Sequence, residues 1–328
     1  MAISQVTRCL FLGMTALFGM VAHAAEYPVR PIRILVGFAA GGSTDAIARF
    51  YAQKLAIELK TPVVVENKPG AGQIVAIKAL MAAPADGYTL YMGTGSALSQ
   101  TPGVQRGTLS YEPLKDFSMV GLVATAPGVI LVNRDLPARS LRDLAAYSRA
   151  NPTTLNFGSS GIGSASHLAG AYLSKVAGIS MTHIPYKADA DIVQAMSTGS
   201  VHIGIAPAQG AVAAISNGKV RALAVTGTHR VKALPEVPSL AEAGISGLEG
   251  LDPYTYYGLV GQTGLPAAVI TKLNAAINRV SREPASAAQV REKYYAEPRA
   301  GSPDDLRKVI QEDTEKWAGF SKHVNVAG

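Results

Sequence analysis

Two clusters of glycine and hydroxyl residues hold the clearest chemistry in the chain. The first is Phe38-Ala39-Ala40-Gly41-Gly42-Ser43-Thr44-Asp45, and the second is Ser159-Ser160-Gly161-Ile162-Gly163-Ser164, followed by Ala165-Ser166-His167. Each follows an apolar run and precedes a helix-like segment. The first turn of a helix has backbone N–H groups without helical partners, set at the positive end of the helix dipole. Glycine there lets a ligand approach the backbone closely. Ser43, Thr44, Ser159, Ser160 and Ser164 add hydroxyls to those amides. The result is an anion cradle, compatible at this level with phosphate, a nucleotide or a carboxylate. Asp45 has two readings: favourable charge in the first helical turn with an i,i+4 partner in Arg49, or orientation of the loop. It is not expected to touch an anion, which a carboxylate repels.

Other chemistries leave no comparable pattern. The six histidines (23, 167, 183, 202, 229 and 323) show no HExxH or similar ligand spacing, so no metal site is expected. His183 and His202 fall in strand-like runs and read as structural. His167 follows the second cluster, where local hydrogen bonding competes with a place in the site. There is no GxGxxG, GxxxxGK[ST] or GxSxG pattern, and nothing identifiable pairs Ser159 or Ser160 with a base and an orienting acid. No catalytic residue and no cofactor is therefore expected. Lys187 is either a partner for an acid or an ordinary surface lysine.

The elements that must position these clusters alternate between strand and helix, which marks an α/β architecture. Strands are expected over 32–38, 63–66, 88–93 and 118–124, with helices over 45–59 and 73–82. Ile47, Tyr51, Leu55 and Leu59 recur every fourth residue and give the first helix one apolar face. A second group of strands covers 129–132, 155–158, 181–185, 202–206 and 221–226. A tenth run, 256–261, and helices over 266–282 and 303–322 close the chain. Five strands in each of two mostly parallel sheets is the simplest division. It gives lobe 1 as 25–125 plus 251–328 and lobe 2 as 126–250, joined by a double-crossover hinge near 125–128 and 250–255. In open α/β sheets, ligands sit beyond the carboxyl ends of the strands. Both clusters lie there, with 67–72 and 93–96 as neighbouring loops, and would face each other across a cleft. Two facing helix N-termini suit a small molecule with two carboxylates, or one carboxylate and a polar group.

Bulk properties narrow the setting. Arg8 precedes an apolar run from Cys9 to Ala22, and Ala22-His23-Ala24 fits a small-x-small cleavage site, so 1–24 is expected to be a cleaved secretory signal. Cys9 is the single cysteine, so the exported chain has no disulfide, thiol nucleophile or cysteine-bound metal. The formal net charge is +7, but Lys and Arg are scattered without interleaved aromatics, which argues against a nucleic-acid partner. No later segment is apolar enough over sufficient length to cross a membrane.

Further motifs, taken in order, make the chain resemble the periplasmic solute-binding receptors of tripartite tricarboxylate transporters, the TctC or Bug family. They are Tyr27-Pro28 with Pro31-Ile32-Arg33, the first cluster with Asp45 and Arg49, and Val65-Glu66-Asn67-Lys68-Pro69-Gly70-Ala71-Gly72. Ala85-Asp86-Gly87-Tyr88-Thr89-Leu90, the second cluster with His167, and His183-Ile184-Pro185-Tyr186-Lys187 follow. Arg221–Thr226, Leu234–Ser239, Glu242-Ala243-Gly244 and Gly264-Leu265-Pro266 complete the series.

The resemblance implies a type II periplasmic-binding-protein fold that closes over a small carboxylate held by loop amides, hydroxyls and waters. Its candidate ligand-binding set adds Thr94, Ser96, His167, Tyr186, Ala206 and Pro207 to the two clusters. It also implies a monomer in the periplasm that delivers a mono- or dicarboxylic acid to membrane permease subunits. A sensor subunit docking on a membrane receptor is a second reading, and an exported hydrolase or isomerase a third. Several positions depart from the usual pattern. Ala188-Asp189-Ala190-Asp191 replaces a glycine continuation, His202 stands where an acid is common, Gln73 ends the usual Gly-Ala-Gly-Gly, and Ala206-Pro207-Ala208-Gln209 lacks an acid at the strand exit. Without that acid an ammonium group loses its natural partner, so a non-amino organic acid is expected.

Overall fold

Two sheets organise the chain, and each buries residues on both faces. The computed structural model describes residues 27–186, 189–251 and 254–321. The expected signal segment 1–24 lies outside the described residues, as do Lys187 and Ala188. In β1 (Ile32–Val36) the alternation of a strand sends Ile34 and Val36 to one core and Leu35 to another on the opposite face. The first sheet runs β11-β4-β10-β3-β1-β2, with β2 Val63–Asn67, β3 Thr89–Thr94, β4 Phe117–Ala126, β10 Thr255–Gln262 and β11 Glu297–Pro298. The second runs β7-β6-β8-β5-β9, with β5 Gly128–Asn133, β6 Asn156–Ser159, β7 Thr182–Pro185, β8 Ile203–Pro207 and β9 Val220–Val225. Here Ile130 and Val132 face one core, Val129 and Leu131 the other.

The sheets are mixed, where mostly parallel five-stranded sheets were expected, and the two-residue β11 adds a sixth strand to the first. β1 pairs in parallel with β2 and β3, but β10 is antiparallel to both β3 and β4. In the second sheet β5 is antiparallel to β8 and β9. The cause is the crossover. The chain enters β5 and β10 from the other sheet, at the edge where parallel strands end. Thus Gly128 of β5 pairs with Pro207 at the end of β8, and Tyr257 of β10 pairs with Thr94 at the end of β3. Each crossing strand therefore starts beside the site-bearing loops and runs away from them.

The final helix, Pro303–Ser321, spans both halves. Leu306 and Ile310 are buried in the first sheet's core, while Trp317 and Phe320 pack in the second's. Asp313 accepts a 2.5 Å hydrogen bond from Ser99, which in turn accepts one from Tyr256 at 2.7 Å. Apolar burial on both sides makes this helix a strap across the crossover.

Candidate functional site

β1 ends at Val36, and Gly37 turns the chain where a Cβ would lie 2.6 Å from Gln73 Cβ. Gly41 adopts φ +88, open to glycine at no steric cost. The helix Ser43–Leu59 then begins, and its first i→i−4 bond is Ala46 N–H to Gly42 O at 3.0 Å. The N–H groups of Gly42, Ser43 and Thr44 therefore have no helical partner, and Gly42 has no side chain to cap them.

Asp45 holds this loop from behind. It is 3% exposed and accepts hydrogen bonds from Gly41 N–H, Arg49 Nε and Asn67 Nδ2, each at 2.9 Å. Asn67 also donates to Phe38 O at 3.0 Å. Burial alone would raise the Asp45 carboxyl, but the bonds from Arg49, Gly41 and Asn67 outweigh it and keep it below the usual carboxylate range. Of its two readings in the sequence, both hold at once: it pairs with Arg49 and fixes the loop.

Beyond the loop lies a cavity of about 480 Å³. The first sheet supplies Phe38, Ala39, Ala40, Gly41, Gly42, Ser43 and Thr44, with Thr94 and Ser96. The second supplies Ser160, Ala165, Ser166, Val193, Ala206, Pro207, Gln209, Gly210, Ala213, Ala214 and Asn217. Tyr254, Thr255 and Tyr257 at the return crossover complete the wall. Among the described residues, none of those lining the cavity carries a charge. Gln209 Oε1 is buried with no hydrogen-bond partner among the described residues. No group of three or more His, Cys, Asp and Glu among the described residues is arranged to hold a metal ion.

The second glycine loop is not a twin of the first, because most of its amides are used internally. Ser160 N–H donates to Ser166 Oγ, Gly161 N–H to Ser159 Oγ, Gly163 N–H to His167 Nδ1 and Ser164 N–H to Gly161 O. Ser164 Oγ caps His167 N–H of the helix Ala165–Ala177 at 3.2 Å. What this loop offers the cavity is Ser160 and the first helical residues, Ala165 and Ser166.

Asp45, Ser159, Gly161, Ile162, Gly163, Ser164, His167 and Tyr186 thus stand outside the cavity lining. Gly163 instead contacts the other half of the molecule: its carbonyl accepts the Thr101 hydroxyl at 2.6 Å. Ile162 is exposed, and Tyr186 packs on the second sheet's core. Ser159 is fully buried and shares a 2.6 Å hydrogen bond with His183 Nε2, so it does have a histidine partner. Neither residue of that pair lines the cavity. His183 stacks between Phe157 and His167, with centroids at 4.9 and 4.1 Å. Burial, and then the neighbouring His183, push the His167 pKa down to about 4. Burial lowers His183 too. The stacked imidazoles of His167 and His183 brace the loop.

The candidate set stopped short of Ala165 and Ser166, which follow the second loop, and of Gln209 at the strand exit; it lacked Val193, Gly210, Ala213, Ala214, Asn217 and the crossover residues Tyr254, Thr255 and Tyr257 altogether. The last three were accessible in principle, because a strand entering from the other half must start at the cleft. The helix Ala208–Ser216 consists mostly of small residues, with Gln209 as its one side chain bearing an amide to announce it.

Known proteins share this fold. Residues 47–326 match the model of the tripartite tricarboxylate transporter family receptor, TctC. The protein BugT of Bordetella pertussis is 32% identical over 308 residues, covering 93% of this chain and 92% of that one. Among solved structures, R. palustris Rpa4515 with adipate superimposes with a TM-score of 0.84 at 29% identity, over 91% of this chain and 99% of that one. MatC (Rpa3494) from Rhodopseudomonas palustris with bound malate gives 0.81 at 28%, over 90% and 100%. The two-lobed periplasmic-binding-protein fold expected from the sequence is that of these proteins.

Proposed function

We propose a function on one premise: the chain belongs to the tripartite tricarboxylate transporter receptor family. Members of that family bind solutes, and the chain is a solute-binding protein, not an enzyme. In our reading it is exported to the periplasm, captures a small organic carboxylate between lobes 25–125 plus 251–328 and 126–250, and delivers it to transporter permease subunits. In the same reading it acts as a monomer.

One observation carries the ligand class. An open helix N-terminus at Gly42–Thr44 faces a cavity that none of the described charged side chains lines. Backbone N–H groups, a helix dipole and hydroxyls favour an anion. An ammonium group would need a carboxylate partner, and a lining without one favours a non-amino acid ligand. The contact set is Phe38–Thr44, Thr94 and Ser96 at one end, with Ser160, Ser166, Ala206, Pro207 and Gln209 at the other. Gln209 gives a second polar group of the ligand an uncharged partner. Adipate and malate in the related structures fit this class.

The test is isothermal calorimetry against small mono- and dicarboxylates, adipate and malate among them, with matched amino acids as controls. Saturable binding of at least one acid, without binding of the amino acids, is expected. Binding of amino acids alone overturns the ligand class. Uptake of the bound acid by cells with and without the gene tests delivery: equal uptake points to the sensor role instead.

A further inference from the structure

Behind the polar end of the cavity four buried side chains form a closed group: Gln73, Tyr91, Thr94 and Ser96. Thr94 and Ser96 line the cavity, and the other two stand behind them. Tyr91 donates its hydroxyl hydrogen to Gln73 Oε1 at 2.7 Å. Gln73 Nε2 donates to Ser96 Oγ at 2.8 Å and to Thr94 Oγ1 at 3.1 Å. The two hydroxyl oxygens are 2.9 Å apart.

Counting hydrogens sets the polarity of this group. A carboxamide accepts on one side and donates two hydrogens on the other. Tyr91 is fully buried, and its hydroxyl hydrogen needs an acceptor. Gln73 Oε1 is the acceptor it reaches, so the amide oxygen faces Tyr91 and the nitrogen faces the two hydroxyls. An N–H fills one lone pair of each hydroxyl oxygen, and the hydroxyl that also receives its neighbour's O–H has only its own hydrogen left to offer. One O–H is used between them. The other has two destinations: Gln73 Oε1, at 3.3 Å from Thr94 Oγ1 and already engaged by Tyr91, or a group in the cavity. An oxyanion is the stronger acceptor, since hydrogen bonds to charged groups are about twice as strong as neutral ones.

We propose that Gln73 is a positioning residue that fixes Thr94 and Ser96 as hydrogen donors, so that the cavity selects a ligand's anionic oxygen over an N–H group at that end. The proposal rests on the carboxylate reading above. Backbone and packing support it independently. Gln73 sits at φ +77, a conformation that suits glycine better than a long side chain. Gly37 in turn leaves the room that the Gln73 side chain fills. The fold thus bears a backbone cost at Gln73 and leaves room for its side chain at Gly37.

The test uses Gln73→Glu and Gln73→Met in the full mature chain. The probes are small carboxylates, adipate and malate among them, each paired with its primary amide. A glutamate keeps the acceptor for Tyr91 but places a second acceptor against the hydroxyls, turning their hydrogens inward. Its affinity for the best-bound acid should fall by about 10- to 100-fold at neutral pH. The acid-to-amide preference should shrink with it, and both should recover as acidification protonates the introduced carboxylate. Gln73→Met leaves the hydroxyls free to rotate and should lower the acid-to-amide ratio by about 2- to 10-fold. Wild-type ratios in a folded Gln73→Glu or in Gln73→Met overturn the proposal. Failure of the unmodified chain to bind any of the acids instead overturns the carboxylate reading itself.

Discussion

Replacing Gly42 by valine separates binding from folding more cleanly than any other change at the first loop. Gly42 has φ −80 and ψ 172, ordinary extended geometry, and a Cβ there would meet only Ala39 O, at 3.8 Å. The fold should therefore lose no more than the N-cap preference of glycine over valine, about 1 kcal/mol or less. At this chain length that lowers Tm by about 2 °C. Binding is a different matter, because the isopropyl group stands over the free N–H groups of Ser43 and Thr44. A hydrogen bond to a charged group contributes about 1.5–3 kcal/mol, so losing one weakens a carboxylate by about 10- to 150-fold. Gly163→Val should show the reverse signature. Gly163 lies outside the cavity lining but has φ +77, and a Cβ there would sit 3.3 Å from Thr101 Oγ1. Its cost falls on the fold, about 1–2 kcal/mol for the left-handed backbone alone. Calorimetric titration with the best-bound carboxylate, beside thermal denaturation of both variants, reads the two effects. Wild-type affinity in Gly42→Val would falsify the assignment of that helix N-terminus to the ligand.

Three further expectations concern the parts that hold the site in shape. Asp45→Asn should cost about 1–3 kcal/mol, because an amide cannot accept all three donors; half-exposed Arg49 adds little. Asp45 is held below its ordinary pKa, so its contribution is complete above about pH 4 and fades below it. The variant should lack that acid limb in chemical denaturation, and an unaltered limb rules the role out. His167 works at a higher pH: burial pushes its folded pKa down to about 4, against about 6.5 unfolded, so the unfolded chain binds more protons in between. Stability should fall by on the order of 3 kcal/mol as pH drops through that window. His167→Phe should flatten the slope, and an equal slope in the variant contradicts the account. Thr101→Val removes the hydroxyl that reaches Gly163 O across the cleft. Without ligand, its scattering-derived radius of gyration should rise while Tm changes little; identical scattering denies Thr101 a role in holding the halves together.

How far the sequence revealed this molecule depended on which interactions were local. The run Ile32–Val36 into Gly41-Gly42-Ser43 announced a strand, a turn and an open helix start, because each signal lies within a few residues of the next. Asp45 and Arg49 were readable as a pair for the same reason. The second loop misled because its sequence resembles the first. Whether an amide is free depends on where Ser159, Ser166 and His167 point, and spacing alone does not contain that. The direction of β10 also depends on contacts between distant segments, since Thr94 and Tyr257 meet only after the chain has crossed between sheets twice. The donor polarity at Thr94 and Ser96 needs Gln73 and Tyr91 in place, four positions from three segments.

The central claim is that the cavity between the two sheets holds a small carboxylate. Native mass spectrometry of the purified chain, followed by denaturing release and accurate-mass identification of the bound compound, tests it most directly. The released compound should be a small organic acid without an ammonium group, compatible with a cavity of about 480 Å³. A released cation, or a sugar without a carboxylate, contradicts the claim.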